Sequence, residues 1–138
     1  MELFHTLQGE GFHTGKPAVF VRLAGCDVGC IWCDVKESWD SDKHPSISED
    51  SIVSQALKFK TKFIVITGGE PTLHNINKLT RKLKENNFYT AIETAGTNIL
   101  PKNLDWICFS PKKFKKPLEE IYDKVNELKV VVNNRADL

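Results

Sequence analysis

The stretch Phe63-Ile64-Val65-Ile66-Thr67-Gly68-Gly69-Glu70-Pro71 decides the architecture. Its run of apolar, largely β-branched residues reads as a strand buried on both faces, the pattern of a parallel sheet. Two glycines then stop it. The same order recurs on either side. Ala18 to Ala24 is a strand rich in Val and Phe, followed at once by Cys26. Tyr89 to Glu93 runs into Glu93-Thr94, and Trp106 to Ser110 runs into Ser110-Pro111-Lys112. Between these strands lie segments of helical period. Ser46 to Lys60 has Ser46 and Glu49 at capping-box spacing, with Ile52, Val53, Ala56 and Leu57 on one face. Asn75 to Asn86 has Asn75 as its cap and Ile76, Leu79 and Leu83 inward. Pro117 to Leu128 is amphipathic through Leu118, Ile121, Tyr122 and Val125, and Lys129 to Val132 forms the last strand. This alternation predicts an α/β fold, either a parallel sheet or part of an α/β barrel. Every chemically unusual group falls at the C-terminal end of a strand, where such folds build their sites.

Composition bounds the function. The 138 residues are 41% apolar and 27% charged, as expected of one soluble globular domain. Nineteen basic and eighteen acidic residues leave a formal charge of +1. So even a balance predicts no nucleic-acid partner and no membrane partner. Met1 to Thr6 has neither the basic nor the apolar region of a signal peptide. The longest apolar runs fall far short of the ~20 residues that cross a bilayer. The expected location is therefore cytoplasmic, where four cysteines read as ligands or reactive thiols rather than disulfides.

Three of the four are clustered in Cys26-Asp27-Val28-Gly29-Cys30-Ile31-Trp32-Cys33. A structural zinc site is usually closed by four ligands. Here the fourth would have to come from His13, His44 or Cys108, all distant along the chain. Three thiolates complement three irons of a [4Fe–4S] cluster and leave the fourth iron open to a chelating cosubstrate. A zinc knuckle, or three unconnected thiols, is the plainer alternative. Gly68 and Gly69 let backbone N–H groups approach a ligand closely, although a glycine pair after a strand also makes an ordinary turn. Arg22 lies inside an apolar strand on the face of Phe20 and Ala24, opposite Val19, Val21 and Leu23. A buried guanidinium needs an anion: a ligand carboxylate held in its fork, or a structural partner such as Glu93 or Glu10. Lys113, Lys115 and Lys116 read as a solvated basic run. Cys108 reads as an apolar strand residue, and the four histidines show no ligand spacing. Trp32 reads as a cover over the cysteine loop.

The cysteine spacing, with an aromatic residue before Cys33, resembles the cluster motif of the radical S-adenosylmethionine (SAM) superfamily. Further segments narrow the likeness: Leu7-Gln8-Gly9-Glu10-Gly11, Phe20-Val21-Arg22-Leu23-Ala24-Gly25-Cys26, Cys33-Asp34, Gly68-Gly69-Glu70-Pro71, Ile92-Glu93-Thr94 and Ser110-Pro111-Lys112. Together they resemble the 7-carboxy-7-deazaguanine synthase family of queuosine biosynthesis. That resemblance implies an incomplete TIM-like barrel. It implies a carbon–nitrogen lyase that contracts 6-carboxy-5,6,7,8-tetrahydropterin to 7-carboxy-7-deazaguanine and releases ammonia. It further implies a [4Fe–4S] cluster on Cys26, Cys30 and Cys33, and SAM held by Trp32, Cys33, Asp34, Gly69, Glu70, Glu93, Ser110, Pro111 and Lys112. The pterin would lie against Leu7, Gln8, Gly9, Glu10, Arg22 and Thr67. An electron donor such as flavodoxin and a homodimer are implied with it.

Two departures stand out. The position that bears a Mg²⁺-ligating hydroxyl in the family is Val35, and valine offers the hard cation no oxygen. The family also continues past the last strand here, so residues 1–138 are expected to be a single radical SAM domain truncated at its C-terminus. Competing expectations are another small radical SAM enzyme, such as a glycyl-radical activase, and a non-catalytic cysteine-rich metal-binding module.

Overall fold

In the computed structural model, which describes residues 2–33, 36–132 and 135, the apolar runs form one six-stranded sheet. The strands are β1 (Glu2–Leu7), β2 (Pro17–Leu23), β3 (Phe63–Gly68), β4 (Tyr89–Thr94), β5 (Trp106–Phe109) and β6 (Glu127–Leu128). They lie side by side in chain order. β1 pairs antiparallel with β2, and every later pair is parallel. Helices α1 (Glu49–Ala56) and α2 (Asn77–Glu85) fall in the connections flanking β3.

The two-residue period of the strands divides the core. Val19, Val21 and Leu23 join Ile64, Ile66 and Ile92 against Ile52, Val53 and Ala56 of α1 and Leu79 and Leu83 of α2. The opposite face carries Ala18, Phe20, Phe63, Val65 and Ala91, with Phe4 and Trp106 against them. The inner strands are thus apolar on both sides, as their sequences require. The β1–β2 loop then reaches across to the far edge of the sheet. Phe12 N donates to Glu127 Oε1 at 3.2 Å, and Trp106 Nε1 donates to Glu127 Oε2 at 3.0 Å. The result is an open α/β barrel. Among the described residues, no helix is long and apolar enough to cross a membrane.

Several elements differ from the sequence expectation. β1 is unforeseen, because Glu2-Leu3-Phe4-His5-Thr6-Leu7 is a largely exposed antiparallel edge strand with no continuous apolar run. α1 is shorter than residues 46–60: Ser48, not Ser46, accepts the capping bond from Ser51 N, and Leu57 is left outside on an exposed turn. The N-cap position of α2 falls on Ile76, one residue later than expected, while Asn75 Oδ1 still accepts from Asn77 N at 3.4 Å. Pro117 to Leu128 makes only a single tight turn at Glu119–Ile121, with Ile121 buried and Tyr122 exposed. One inward side chain per turn is too little apolar contact to hold a helix. β6 begins two residues before the expected Lys129. Asn126 fixes that register by exchanging two hydrogen bonds with Ile107, through its own N to Ile107 O and from Ile107 N to its side chain.

Ser48→Ala should lower stability by about 1 kcal/mol in urea denaturation, while Ser46→Ala should leave the midpoint unchanged. The reverse order would place the cap at Ser46.

Candidate active site

The site begins with two backbones in contact. β3 ends at Gly68, paired with Leu23 of β2. Gly69 N then donates to Leu23 O at 3.0 Å, and Glu70 N donates to Gly25 O at 2.8 Å. A Cβ on Gly68 would stand 2.0 Å from Leu23 O, and one on Gly69 2.3 Å from Gly25 O and 2.8 Å from Cys26 Cβ. Gly68 also adopts φ 141°, which other residues avoid. Only a glycine pair allows this approach, and it ties the start of the cysteine loop to the end of β3.

Cys26, Cys30 and Cys33 are free thiols that line one cavity of about 500 Å³ together with Gly68 and Gly69. That volume is in the usual range for small-molecule sites. Burial pushes the Cys30 thiol above its ordinary pKa, and nearby Lys112 opposes the rise. Burial in turn lowers the Lys112 ammonium. Among the described residues, no three His, Cys, Asp or Glu side chains close to the spacing of a single metal ion. The three thiols line one cavity beside a backbone that only glycine permits, and their chemistry suits iron held through thiolates.

The surroundings brace this loop. Gly25 N donates to Ser38 O, Cys26 N donates to Trp39 O, and Trp39 Nε1 reaches Cys33 Sγ at 3.3 Å. Neither Ser38 nor Trp39 was foreseen, since no residue spacing marks them. From the other side Lys115 pairs with Asp27, and Phe114 lies 4.9 Å from the Trp32 ring. Lys115 is therefore a structural partner and not part of a free basic run, and Lys116 pairs with Glu119. Trp32 stands at the cavity, partly exposed, as a cover would.

Glu70 is buried, and its carboxylate has four protein donors. Oε1 accepts from Thr72 N, Thr72 Oγ1 and Thr94 Oγ1, and Oε2 accepts from Ala95 N at 2.7 Å. It thereby fixes the end of β3 to the end of β4. Ser110 N donates to Thr94 O, and Lys112 Nζ donates to Ser110 Oγ at 2.5 Å, so both side chains face the cavity. Pro111 between them, Gln8, and the exposed Leu7 and Gly9 are not among its lining residues. Asp34 and Val35 lie outside the described residues.

The remaining residues form a polar wall. Arg22, Glu10, Thr67 and Glu93 all line the cavity. The buried pairing considered for Arg22 does not form. Its side chain is 36% exposed, and its guanidinium pairs with Glu2 at 3.1 Å and lies over the Phe4 ring. β1, which the sequence did not announce, supplies both partners. Glu93 Oε1 accepts from Gln8 Nε2 at 3.2 Å, and Oε2 accepts from Thr67 Oγ1 at 3.3 Å and Lys129 Nζ at 3.2 Å. Glu93, implied as a SAM residue, thus keeps company with residues implied for the pterin. Lys129 was missed. The signal was available, because a lysine preceding Val130-Val131-Val132 is as anomalous as the arginine in β2. Cys108 is buried in β5, with its thiol pushed up to about 11 by burial, as an apolar strand residue should be. His74 Nε2 donates to Ala24 O at 2.6 Å and so steadies the residue before the cysteine loop.

A three-cysteine loop after the first parallel strand of an open α/β barrel, with a glycine pair after the next strand, defines a radical SAM protein. The sequence model of the Radical SAM superfamily matches residues 20–126. The 7-carboxy-7-deazaguanine synthase of Flavobacterium psychrophilum is 50% identical over 137 residues, covering 99% of this chain and 65% of that protein. The enzyme of the same name from Escherichia coli K12 is 35% identical over 162 residues, covering 99% of this chain and 73% of that protein. The crystal structure of QueE from Escherichia coli superposes with a TM-score of 0.88 at 35% identity, covering 99% of this chain and 72% of that one. The chain belongs to the 7-carboxy-7-deazaguanine synthase family. It spans about 65% of the length of its Flavobacterium and Synechocystis relatives.

Glu70→Ala strands four buried donors and should destabilise the protein by at least about 2 kcal/mol in urea denaturation. An unchanged midpoint would contradict the bridging role of this carboxylate.

Proposed function

We propose that the chain carries the radical SAM-dependent contraction of 6-carboxy-5,6,7,8-tetrahydropterin to 7-carboxy-7-deazaguanine, with loss of ammonia. The observation that supports it most is the meeting, in one cavity, of the three thiols and the glycine pair with the polar wall of Glu10, Arg22, Thr67 and Glu93. Cys26, Cys30 and Cys33 would hold three irons of a [4Fe–4S] cluster. Gly69 leaves room for the amino end of SAM, and Ser110 and Lys112 offer a hydroxyl and a cation to its polar groups. When bound, the cluster supplies the electron that cleaves SAM, and SAM supplies the radical that removes hydrogen from the substrate.

The chain's own residues orient and desolvate. Arg22, which pairs with Glu2 at the rim and lies over the Phe4 ring, can exchange Glu2 for a substrate carboxylate, because such an exposed pair contributes little. Glu93 and Gln8 present acceptor and donor atoms to the polar edge of the pterin ring. Glu70 and the glycine contacts hold these groups at fixed separation. The same proposal includes a one-electron donor such as flavodoxin, a homodimer and a cytoplasmic setting, and Mg²⁺ would need water in place of the oxygen that Val35 lacks.

Anaerobic reconstitution should give a brown protein with about four irons and four sulfides per chain. With reductant and SAM it should convert the carboxytetrahydropterin to the deazaguanine, detected by mass spectrometry. Stoichiometric zinc without SAM binding would sink the proposal. Cys30→Ala should fail to assemble the cluster, and a full four-iron complement in that variant would contradict the ligand assignment.

A further inference from the structure

Four residues close a ring along the polar wall. Gln8 Nε2 donates to Glu93 Oε1 at 3.2 Å, and Gln8 Oε1 accepts from Glu10 N at 3.2 Å. Lys129 Nζ reaches Glu93 Oε2 at 3.2 Å and Glu10 Oε2 at 3.0 Å. The members come from three separate places: the β1–β2 loop, the end of β4, and the residue after β6. Lys129 is itself fixed, since its backbone N donates to Phe109 O at 2.8 Å and its side chain is two-thirds buried. One cation therefore sets the direction of two carboxylates that would otherwise repel each other in the same wall.

We infer that Lys129 is a positioning residue that aims the Glu93 and Glu10 carboxylates at the N–H donors of the bound heterocycle. The inference rests on the proposed function. A cyclic guanidine edge, such as the 2-amino and adjacent ring N–H of a pterin, presents two parallel donors to a carboxylate, and that match depends on orientation. Gln8 and Thr67 supply neutral hydrogen bonds to Glu93, and Gln8 also accepts from the Glu10 backbone, but among the described residues Lys129 is the cation that joins the two carboxylates. Both acids raise the affinity of Lys129 for its proton against the opposing effect of burial, so the cation persists throughout the neutral range. Loss of this cation frees the carboxylates to turn from one another and from the ligand. Because the residues touch the substrate side and not the thiols, the defect should be in substrate recognition.

The test compares the reconstituted wild-type chain with Lys129→Met, which keeps length and loses charge. The variant should bind a full cluster and cleave SAM in the absence of pterin at the wild-type rate. Its KM for 6-carboxy-5,6,7,8-tetrahydropterin should rise about tenfold or more, the loss expected of charge-assisted hydrogen bonds, with kcat little changed. Lys129→Arg should recover most of the KM. Glu10→Gln, at an exposed side chain, should raise KM in the same sense even if Lys129→Met does not fold. An unchanged KM in Lys129→Met, or in Glu10→Gln where the former is insoluble, overturns the assignment. So does a fall in kcat and in unproductive SAM cleavage together. A wild-type chain that cleaves SAM but leaves the pterin unchanged overturns the proposed function, and this assignment with it.

Discussion

The site depends on the contact between the backbone after β3 and the backbone after β2. Gly68 and Gly69 lie so near Leu23 and Gly25 that a single methyl group on either would overlap a carbonyl oxygen. Parallel pairing of β2 and β3 brings the two strand ends level, and two further hydrogen bonds carry the pairing past the sheet into the loops. The cysteine loop thereby starts from a rigid point, although the loop itself has little regular structure. Further support comes from the Ser38 and Trp39 carbonyls, which accept from Gly25 N and Cys26 N, and from side chains: Trp39 on Cys33, His74 on the Ala24 carbonyl, and Lys115 on Asp27.

From that contact outward the wall is built strand by strand. Glu70 spans to Thr94 and Ala95, Thr94 O accepts from Ser110 N, and Ser110 Oγ accepts from Lys112. The ends of β3, β4 and β5 each contribute a polar group, and each group is hydrogen-bonded to the next. A substitution in one strand end is therefore felt at its neighbours, and effects at Glu70, Thr94 and Ser110 should not be additive.

Much of this was legible in the sequence, for a definite reason. Strands buried on both faces leave a continuous apolar run, so β2, β3, β4 and β5 were visible within a residue or so. Their C-terminal ends, and with them the cysteines, Gly69, Glu70, Glu93 and Ser110, followed directly. Edge elements were not visible. β1 is exposed and mixed in composition, β6 is two residues long, and neither carries the run that marks a buried strand. The partner that Arg22 finds within the chain was missed for the first of these reasons, because Glu2 belongs to the strand that left no signature. Lys129 was passed over although it stands at the head of Val130-Val131-Val132, the run read as the last strand. The cap of α1 illustrates a different limit: Ser46 and Ser48 both suit the role, and the packing of Ile52, Val53 and Ala56 decides which one begins the helix.

The ring that joins Gln8, Glu10, Glu93 and Lys129 also bears on how the chain folds. Lys129 and Glu10 are 119 positions apart in sequence, and Phe12 and Glu127 are 115 apart. The β2–β3 and β3–β4 pairings close much shorter segments. Contacts of such long separation carry a large closure entropy and are made once the intervening sheet is in place. The polar wall that joins the two ends of the chain is thus expected to assemble late. Hydrogen exchange across the sheet should then be graded, with slow amides in β3 and fast ones where the two ends of the chain meet.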